Sequence, residues 1–153
     1  LGYLESSFMI DRVKRTGIEG KKIFEIGEKF YFEDIGIRHA VTGYKTTDIH
    51  KMLENIVHLH LRIAGYQVGV GTEGSREVDF IAEKGGKRIY IQVAYMLTDP
   101  QTIEREFGIL LKINDNFPKY VLTMDDLKSS TSHKGILLMH VKDFCREVTD
   151  DKK

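Results

Sequence analysis

Apolar residues recur along this chain with two different periods, and the change of period separates predicted helices from predicted strands. A spacing of three to four residues runs through 48–65 and predicts a long amphipathic helix that ends at Gly65. A second helix is predicted over 99–114, with Asp99 as its cap and Pro100 in its first turn. The apolar stripe of the first helix comprises Ile49, Met52, Leu53, Ile56, Val57, Ile63 and Ala64.

Strands are predicted where β-prone residues alternate or run together between turns. Residues 76–82 and 88–95 form two such strands, and Gly85 with Gly86 favours a tight hairpin between them. Residues 119–124 and 135–141 are nearly continuous in apolar side chains, which is typical of buried parallel strands.

The complete pattern indicates one α/β domain over residues 45–150. A further strand over 66–70 and a short final helix after 141 complete the order α-β-β-β-α-β-β-α. Within it, His60 falls in the centre of the first helix's apolar stripe, and a core histidine with a satisfied hydrogen bond is the favoured interpretation.

The first 44 residues predict a helix followed by short β-prone segments, at 10–15, 21–27 and 29–34, and then a connector at 36–44. A helix followed by a basic β-hairpin is the layout of the last part of a winged-helix module. The alternative is an exposed hairpin with ordinary solvated side chains. Candidate nucleic-acid-binding residues in this segment are Arg12, Lys14, Arg15, Lys21 and Lys22.

Composition and charge restrict the class of protein. Lys+Arg and Asp+Glu balance at 23 each, so nucleic-acid binding would need a local basic patch rather than a global positive field. Apolar residues make up 41% of the chain, which is enough for a core. The single cysteine, Cys145, fits a reducing compartment and a cytoplasmic protein.

Alternation along the two hairpin strands places candidate metal ligands near each other. Counted from the turn, Asp79 and Gln92 lie at matching positions, and Glu54 on the flank of the long helix can approach them. A carboxylate and an amide oxygen suit a hard cation such as Mg²⁺ or Mn²⁺. Two acids and a glutamine on the exposed face of a hairpin also occur without any function. Alternation further predicts that Glu77, Asp79 and Ile81 share one face, and Val78, Phe80 and Ala82 the other.

Four segments, taken together, resemble one family. They are "EVDF" (77–80), "IYIQVAY" (89–95), "ERE" (104–106) and "NFPKYVLTMD" (116–125). The chain resembles the C-terminal domain of unknown function that follows the ATPase core in many prokaryotic AAA-type ATPases. The resemblance implies a restriction-endonuclease-like fold of the PD-(D/E)xK type, with a mixed central sheet flanked by helices, preceded here by the winged-helix-like remnant.

The resemblance also implies roles for particular residues. Asp79 matches the metal-binding aspartate of the nuclease pattern, and Glu54 is the candidate for the helix acid. Gln92 stands where the second acid belongs, and Ala94 stands where the lysine belongs. An acidic residue is expected at the place of His60, so this histidine departs from the family. Loss of one preorganised electrostatic group costs roughly 10²- to 10³-fold in rate, and two have changed here.

Three functions follow as hypotheses. The first is a catalytically degraded nuclease-fold accessory domain that binds nucleic acid or a partner beside the ATPase, which would lie upstream. The second is an active Mg²⁺- or Mn²⁺-dependent nuclease in which another cation replaces the lysine. The third is an oligomerisation or interaction domain without a nucleic-acid role.

Overall fold

The computed structural model describes residues 2–18, 27–73, 76–127 and 129–150. Within these ranges the chain forms eight strands, five α-helices and one 3₁₀ turn at Thr46–Asp48. The strands are β1 (Ile10–Gly17), β2 (Glu28–Phe32), β3 (Gln67–Glu73), β4 (Arg76–Lys84), β5 (Lys87–Val93), β6 (Lys119–Thr123), β7 (Thr131–His133) and β8 (Ile136–His140). The helices are α1 (Gly2–Ser6), α2 (Ile35–Thr42), α3 (Ile49–Ile63), α4 (Pro100–Lys112) and α5 (Val141–Asp150).

The described strands form one mixed sheet in the order β2-β1-β3-β4-β5-β6-β8-β7. Parallel pairing joins β1 to β3, β5 to β6 and β6 to β8, and the other neighbours are antiparallel. The predicted α/β architecture, with a mixed sheet flanked by helices, is confirmed. The predicted order of elements after residue 45 is also correct, except that it omits the short strand β7.

The N-terminal hairpin belongs to the same sheet as the rest of the protein. β1 pairs with β2 from Ile10 opposite Phe32 to Lys14 opposite Glu28. The C-terminal half of β1 then pairs in parallel with β3, so the sheet continues across the predicted boundary at residues 44 and 45. The predicted strand over 21–27 lies, apart from its last residue, outside the described residues.

The segment predicted as a connector contains helix α2, and this prediction is wrong. The Asp34 carboxylate accepts the Ile37 backbone N–H at 2.8 Å and caps the helix, and Gly43 with φ of 76° ends it. Inside α2, Arg38 is buried and donates to Asp48 at 3.1 Å. This ion pair holds α2 against the start of α3, which compensates for a helix too short to be stable alone.

Local signals predicted the start of α4, the C-terminal end of α3 and the hairpin turn. Asp99 accepts the Thr102 backbone N–H at 2.9 Å, with Pro100 at the start of α4, although this helix ends at Lys112, two residues before the predicted end. Helix α3 ends at Ile63, with Ala64 as its C-cap, and Gly65 follows with φ of 88°. Gly85 and Gly86 both have positive φ, as the tight hairpin turn requires.

Two apolar cores lie on opposite faces of the sheet. The first packs under α3 and α5 and includes Leu61, Phe80, Ile91 and Phe144. The second packs under α4 and comprises Val78, Ile81, Tyr90, Phe107, Ile109, Leu110, Ile113, Val121 and Ile136.

Helix α3 buries polar residues that its apolar pattern does not include. Ile63, part of the predicted stripe, is 53% exposed, whereas Asn55 and His58 are buried. The Asn55 amide accepts the Phe32 N–H at 2.8 Å and donates to the Phe32 carbonyl at 2.7 Å. It therefore satisfies the backbone of β2, which is the edge strand on this side of the sheet.

His58 lies inside the first core. Its ring stacks on Tyr31 with 4.4 Å between centroids, and Nε2 lies 3.0 Å from an Asp11 carboxylate oxygen. Burial lowers the pKa of His58 to about 4, against the attraction of Asp11. The folded protein therefore holds this histidine neutral over a pH range in which the unfolded chain protonates it.

We expect His58 to make the protein sensitive to acid. Because its pKa falls from 6.5 to about 4 on folding, its contribution to stability is complete above pH 6.5 and is lost as pH falls toward 4. Between pH 7 and pH 5 the loss in the free energy of unfolding caused by His58 amounts to about 2 kcal/mol. In urea unfolding at both pH values, His58→Phe should lose about 2 kcal/mol less than the natural chain on acidification. The matched control is His133→Phe on the exposed strand β7; an unchanged pH dependence in His58→Phe would contradict the assignment.

Candidate functional site

A β-bulge determines where the Asp79 carboxylate points. Gly69 pairs with Ile81 and Gly71 pairs with Val78, so Asp79 and Phe80 both lie opposite the single residue between the two glycines. The extra residue breaks the alternation of side chains along β4. The predicted common face of Val78 and Phe80 is therefore wrong, because Val78 packs under α4 and Phe80 under α3.

The bulge brings Asp79 beside Lys29, an edge-strand residue on β2. Lys29 Nζ lies 3.3 Å from Asp79 Oδ1 and 3.2 Å from Glu54 Oε2. It also lies 3.6 Å from Glu77 Oε2. One ammonium group therefore contacts three carboxylates, two of them on β4 and one on α3. We refer to Lys29, Glu54, Glu77 and Asp79 as the Lys29 cluster.

Further donors satisfy the remaining carboxylate oxygens of the cluster. His50 Nδ1 lies 3.0 Å from Glu54 Oε1, and the Tyr31 hydroxyl donates to Glu54 Oε2 at 3.3 Å. The Val93 backbone N–H donates to Asp79 Oδ2 at 2.9 Å. Arg15 Nε donates to Glu77 Oε1 at 2.6 Å.

The pKa shifts follow from burial and from these contacts. Burial, and then the nearby Glu54 charge, raises the pKa of Asp79 to about 6 although Lys29 opposes the shift. Burial also acts to raise the pKa of Glu54, but the hydrogen bond from His50 and the Lys29 charge hold it below its ordinary value. Burial lowers the pKa of Lys29, and the Asp79 and Glu54 carboxylates outweigh that effect and raise it. Lys29 is therefore charged at neutral pH.

Glu54 and Asp79 of the cluster, together with His50, form a candidate site for a divalent cation. His50, Glu54 and Asp79 present ligand atoms within 4.8 Å of one another, which is close enough to share an ion. However, the Lys29 ammonium already donates to oxygens of both carboxylates, and His50 Nδ1 is engaged by Glu54. A divalent ion bound by the same oxygens at about 2.0–2.6 Å would meet the ammonium charge at close range. In this structure the ammonium lies between the two carboxylates, so a divalent ion bound there would compete with Lys29 for the same oxygens.

Gln92 is near Asp79, as predicted, but not as a fellow ligand. Its Oε1 accepts the backbone N–H of Asp79 at 3.2 Å. Its side chain lines a cavity of about 690 Å³ beside α4, with Gln101 and Arg105 among the other residues of the wall. The Asp79 carboxylate instead lies with Glu54 of α3. Asp79 and Glu54 are therefore brought together, while the Gln92 amide oxygen fixes the backbone of β4.

Ala94 lies directly after β5 and is buried. Its backbone N–H donates to the Leu122 carbonyl at 2.8 Å. The lysine that the nuclease pattern places here is absent, and the cation near Asp79 comes from β2 instead. Sequence reasoning did not find Lys29, which lies 50 residues before Asp79. The only local signal was a lysine inside the otherwise aromatic stretch "KFYF" at 29–32.

Of the five predicted nucleic-acid-binding residues, the two arginines are paired with acids. Arg12 lies 2.7 Å from Glu5 and 3.4 Å from Glu28, and Arg15 pairs with Glu77. Lys14 is exposed on β1. Lys21 and Lys22 lie outside the described residues.

Similarity to known proteins is limited. No model of a known protein family matches the chain. The chain is 34% identical over 144 residues to an uncharacterised protein of Haemophilus influenzae. The match covers 94% of this chain and 35% of that protein, so the chain spans about a third of the length of this curated relative. Within the described ranges, no helix is long and apolar enough to cross a membrane.

Replacing Lys29 should destabilise the fold in a pH-dependent way. Lys29→Met leaves the Glu54 and Asp79 carboxylates facing each other without their shared counter-charge. We expect a loss of about 3 kcal/mol at pH 7, the lower end of the range for a broken buried pair. The loss should be smaller at pH 5, where protonation of Asp79 relieves the repulsion.

Urea unfolding of the natural chain, Lys29→Met and the control Lys14→Met at both pH values provides the measurement. The double variant Lys29→Met with Asp79→Asn should recover part of the loss, since it removes one of the two facing charges. Equal losses at pH 5 and pH 7 would show that Lys29 acts through packing alone.

Proposed function

We propose that this chain is a restriction-endonuclease-like accessory domain that has lost phosphodiester hydrolysis and serves as a binding module. The observation that carries the proposal is the Lys29 ammonium, which lies between the Glu54 and Asp79 carboxylates at 3.2 and 3.3 Å. A metal-dependent nuclease uses such carboxylates to hold the ion that activates water. Here a side chain of the protein itself neutralises them.

Two further features support loss of the reaction. Gln92, at the place of the second acid, uses its amide oxygen to accept a backbone N–H. Ala94, at the place of the lysine, is buried and has no charged group to offer. The motif resemblance and the α/β architecture support the nuclease-like fold, and the resemblance also makes an adjoining AAA-type ATPase the expected context.

A protein partner is favoured over nucleic acid as the bound species. Phosphate binding needs lysine and arginine side chains that can exchange counterions for phosphates. Arg12 and Arg15 are instead engaged by Glu5, Glu28 and Glu77. The chain as a whole carries no net charge, so it lacks the long-range field that would compensate for a weak patch.

Nuclease assays test the loss of hydrolysis. Supercoiled DNA, branched DNA and RNA are incubated with the purified chain in Mg²⁺ and then in Mn²⁺, with Asp79→Ala as the matched control. We expect both proteins to leave all substrates intact. Cleavage that disappears in Asp79→Ala and in Lys29→Gln would overturn the proposal and identify Lys29 as the replacement for the missing lysine.

Metal titration tests the same proposal without relying on activity. Free Mn²⁺ measured by electron paramagnetic resonance should show tighter binding to Lys29→Gln than to the natural chain, because the competing ammonium is gone. The double variant Lys29→Gln with Asp79→Asn should lose that gain. Tight Mn²⁺ binding by the natural chain, abolished by Asp79→Asn, would contradict the proposal.

Salt dependence distinguishes the two kinds of partner. We expect fluorescence anisotropy with labelled duplex DNA to show weak binding, with log affinity falling by about one unit or less per unit of log salt. Lys14→Glu should change the affinity for DNA and its salt dependence little. A steep fall of log affinity with log salt, typical of many phosphate contacts, would favour nucleic acid as the partner. This interpretation requires that charge reversal of Lys14, Lys21 and Lys22 together removes the steep dependence.

A further inference from the structure

A groove lies between α3 and α5. Its volume is about 620 Å³, and apolar side chains form most of its surface. Leu53 and Ile56 line it from α3, Val141 and Cys145 line it from α5, and Met124 lies at its edge. Since lining residues recur every three or four positions on both helices, the groove follows each helix for about two turns, or roughly 10 Å.

Two polar side chains of the groove, His60 and Thr149, are already hydrogen-bonded to each other. His60 Nδ1 lies 3.1 Å from Thr149 Oγ1, and that hydroxyl donates to the Cys145 carbonyl at 2.7 Å. The predicted hydrogen bond of His60 is thus present, although the ring is half-buried and bridges two helices. Ile63 lies one turn beyond His60 on α3 and is 53% exposed, so apolar surface continues past the groove.

Two cations lie on the α5 side of this surface. Lys142 and Arg146 are one turn apart, line the groove and are exposed. Neither forms an ion pair with another described residue, whereas the arginines on β1 are neutralised by glutamates. Asp150 is the single acid among the groove residues. The groove therefore combines an apolar floor with a predominantly basic edge.

We propose that the groove is the docking site for an amphipathic helix of a partner protein, with acidic residues beside its apolar face. A channel between two helices takes a third helix by the packing that builds helical bundles, and helix-in-groove recognition reads apolar residues at i, i+3 or i+4, and i+7. Aspartate or glutamate on the flank of the partner helix then pairs with Lys142 and Arg146. About two turns of helix match the groove length.

The test uses two synthetic helical peptides with the same apolar residues, one flanked by glutamates and the other by lysines. Binding is measured by fluorescence anisotropy of labelled peptide. Cys145 lines the groove but is buried, so the exposed groove residue is replaced, Met124→Cys, in a Cys145→Ala background, and the rate at which the new thiol reacts with a thiol reagent reports whether the groove is covered. We expect the acidic peptide to bind and to slow this reaction, and the basic peptide to do neither.

Charge reversal gives the decisive comparison. The double variant Lys142→Glu with Arg146→Glu should bind the acidic peptide roughly tenfold more weakly and should gain affinity for the basic peptide, as expected for surface charge pairs. Ile56→Glu should abolish binding of both peptides. Lys112→Glu on α4, across the sheet, is the matched control and should behave as the natural chain. Circular dichroism verifies that each variant is folded.

Three results would overturn the inference. Equal binding of the two peptides would remove the charge argument. Peptide binding without protection of the Met124→Cys thiol would place the contact elsewhere. Concentration-dependent self-association that protects this thiol without peptide would mean that a second copy of the chain covers the groove. The groove contains no residue of the Lys29 cluster, so failure here leaves the proposal on lost hydrolysis unaffected.

Discussion

Three carboxylates at one point of a folded protein need a counter-charge, and Lys29 provides it. The cluster joins the edge strand β2, the strand β4 and helix α3 through charged side chains. Desolvated charges destabilise a fold unless they are paired and hydrogen-bonded. The position of β2 at the edge of the sheet is therefore coupled to the acids of α3 and β4.

The same constraint explains the unusual composition of α3. Consecutive residues Glu54 and Asn55, together with His58 one turn later, are buried on the side that faces β2. Each has a partner on β1 or β2: Lys29 and Tyr31 for Glu54, the Phe32 backbone for Asn55, and Asp11 for His58. The helix is thus docked on this side by directional polar contacts, which fix its position along the strand more closely than apolar packing does.

A lysine counter-ion differs from a metal ion in one practical respect. A metal-held carboxylate cluster is neutralised only while the ion is available, and chelators remove it. A covalently attached ammonium cannot be diluted or chelated. Neutralisation of Glu54 and Asp79 by Lys29 therefore does not depend on the divalent-ion concentration.

The sequence predicted what local chemistry determines. The cap at Asp99, the glycine turn at Gly85 and Gly86, and the order of elements after residue 45 depend on residues close in the chain, and all three were correct apart from the omitted strand β7. Lys29 was missed because its partners lie 25 and 50 residues away. Ile63 was misplaced because spacing defines a helix face without showing how much of that face the core covers.

The bulge in β4 has a consequence for how this domain is compared with others. Two residues of β4, Asp79 and Phe80, lie opposite the one residue of β3 between Gly69 and Gly71. This bulge lets Asp79 share a face of the sheet with Phe80. Deleting one of the two bulged residues would restore regular pairing with Gly71 still opposite Val78, so Val78 and the residues before it, including Glu77, would keep their present faces. An alignment of this strand with a regular one therefore needs a one-residue gap at the bulge. Without that gap, the acid that faces the helix is matched to the wrong position.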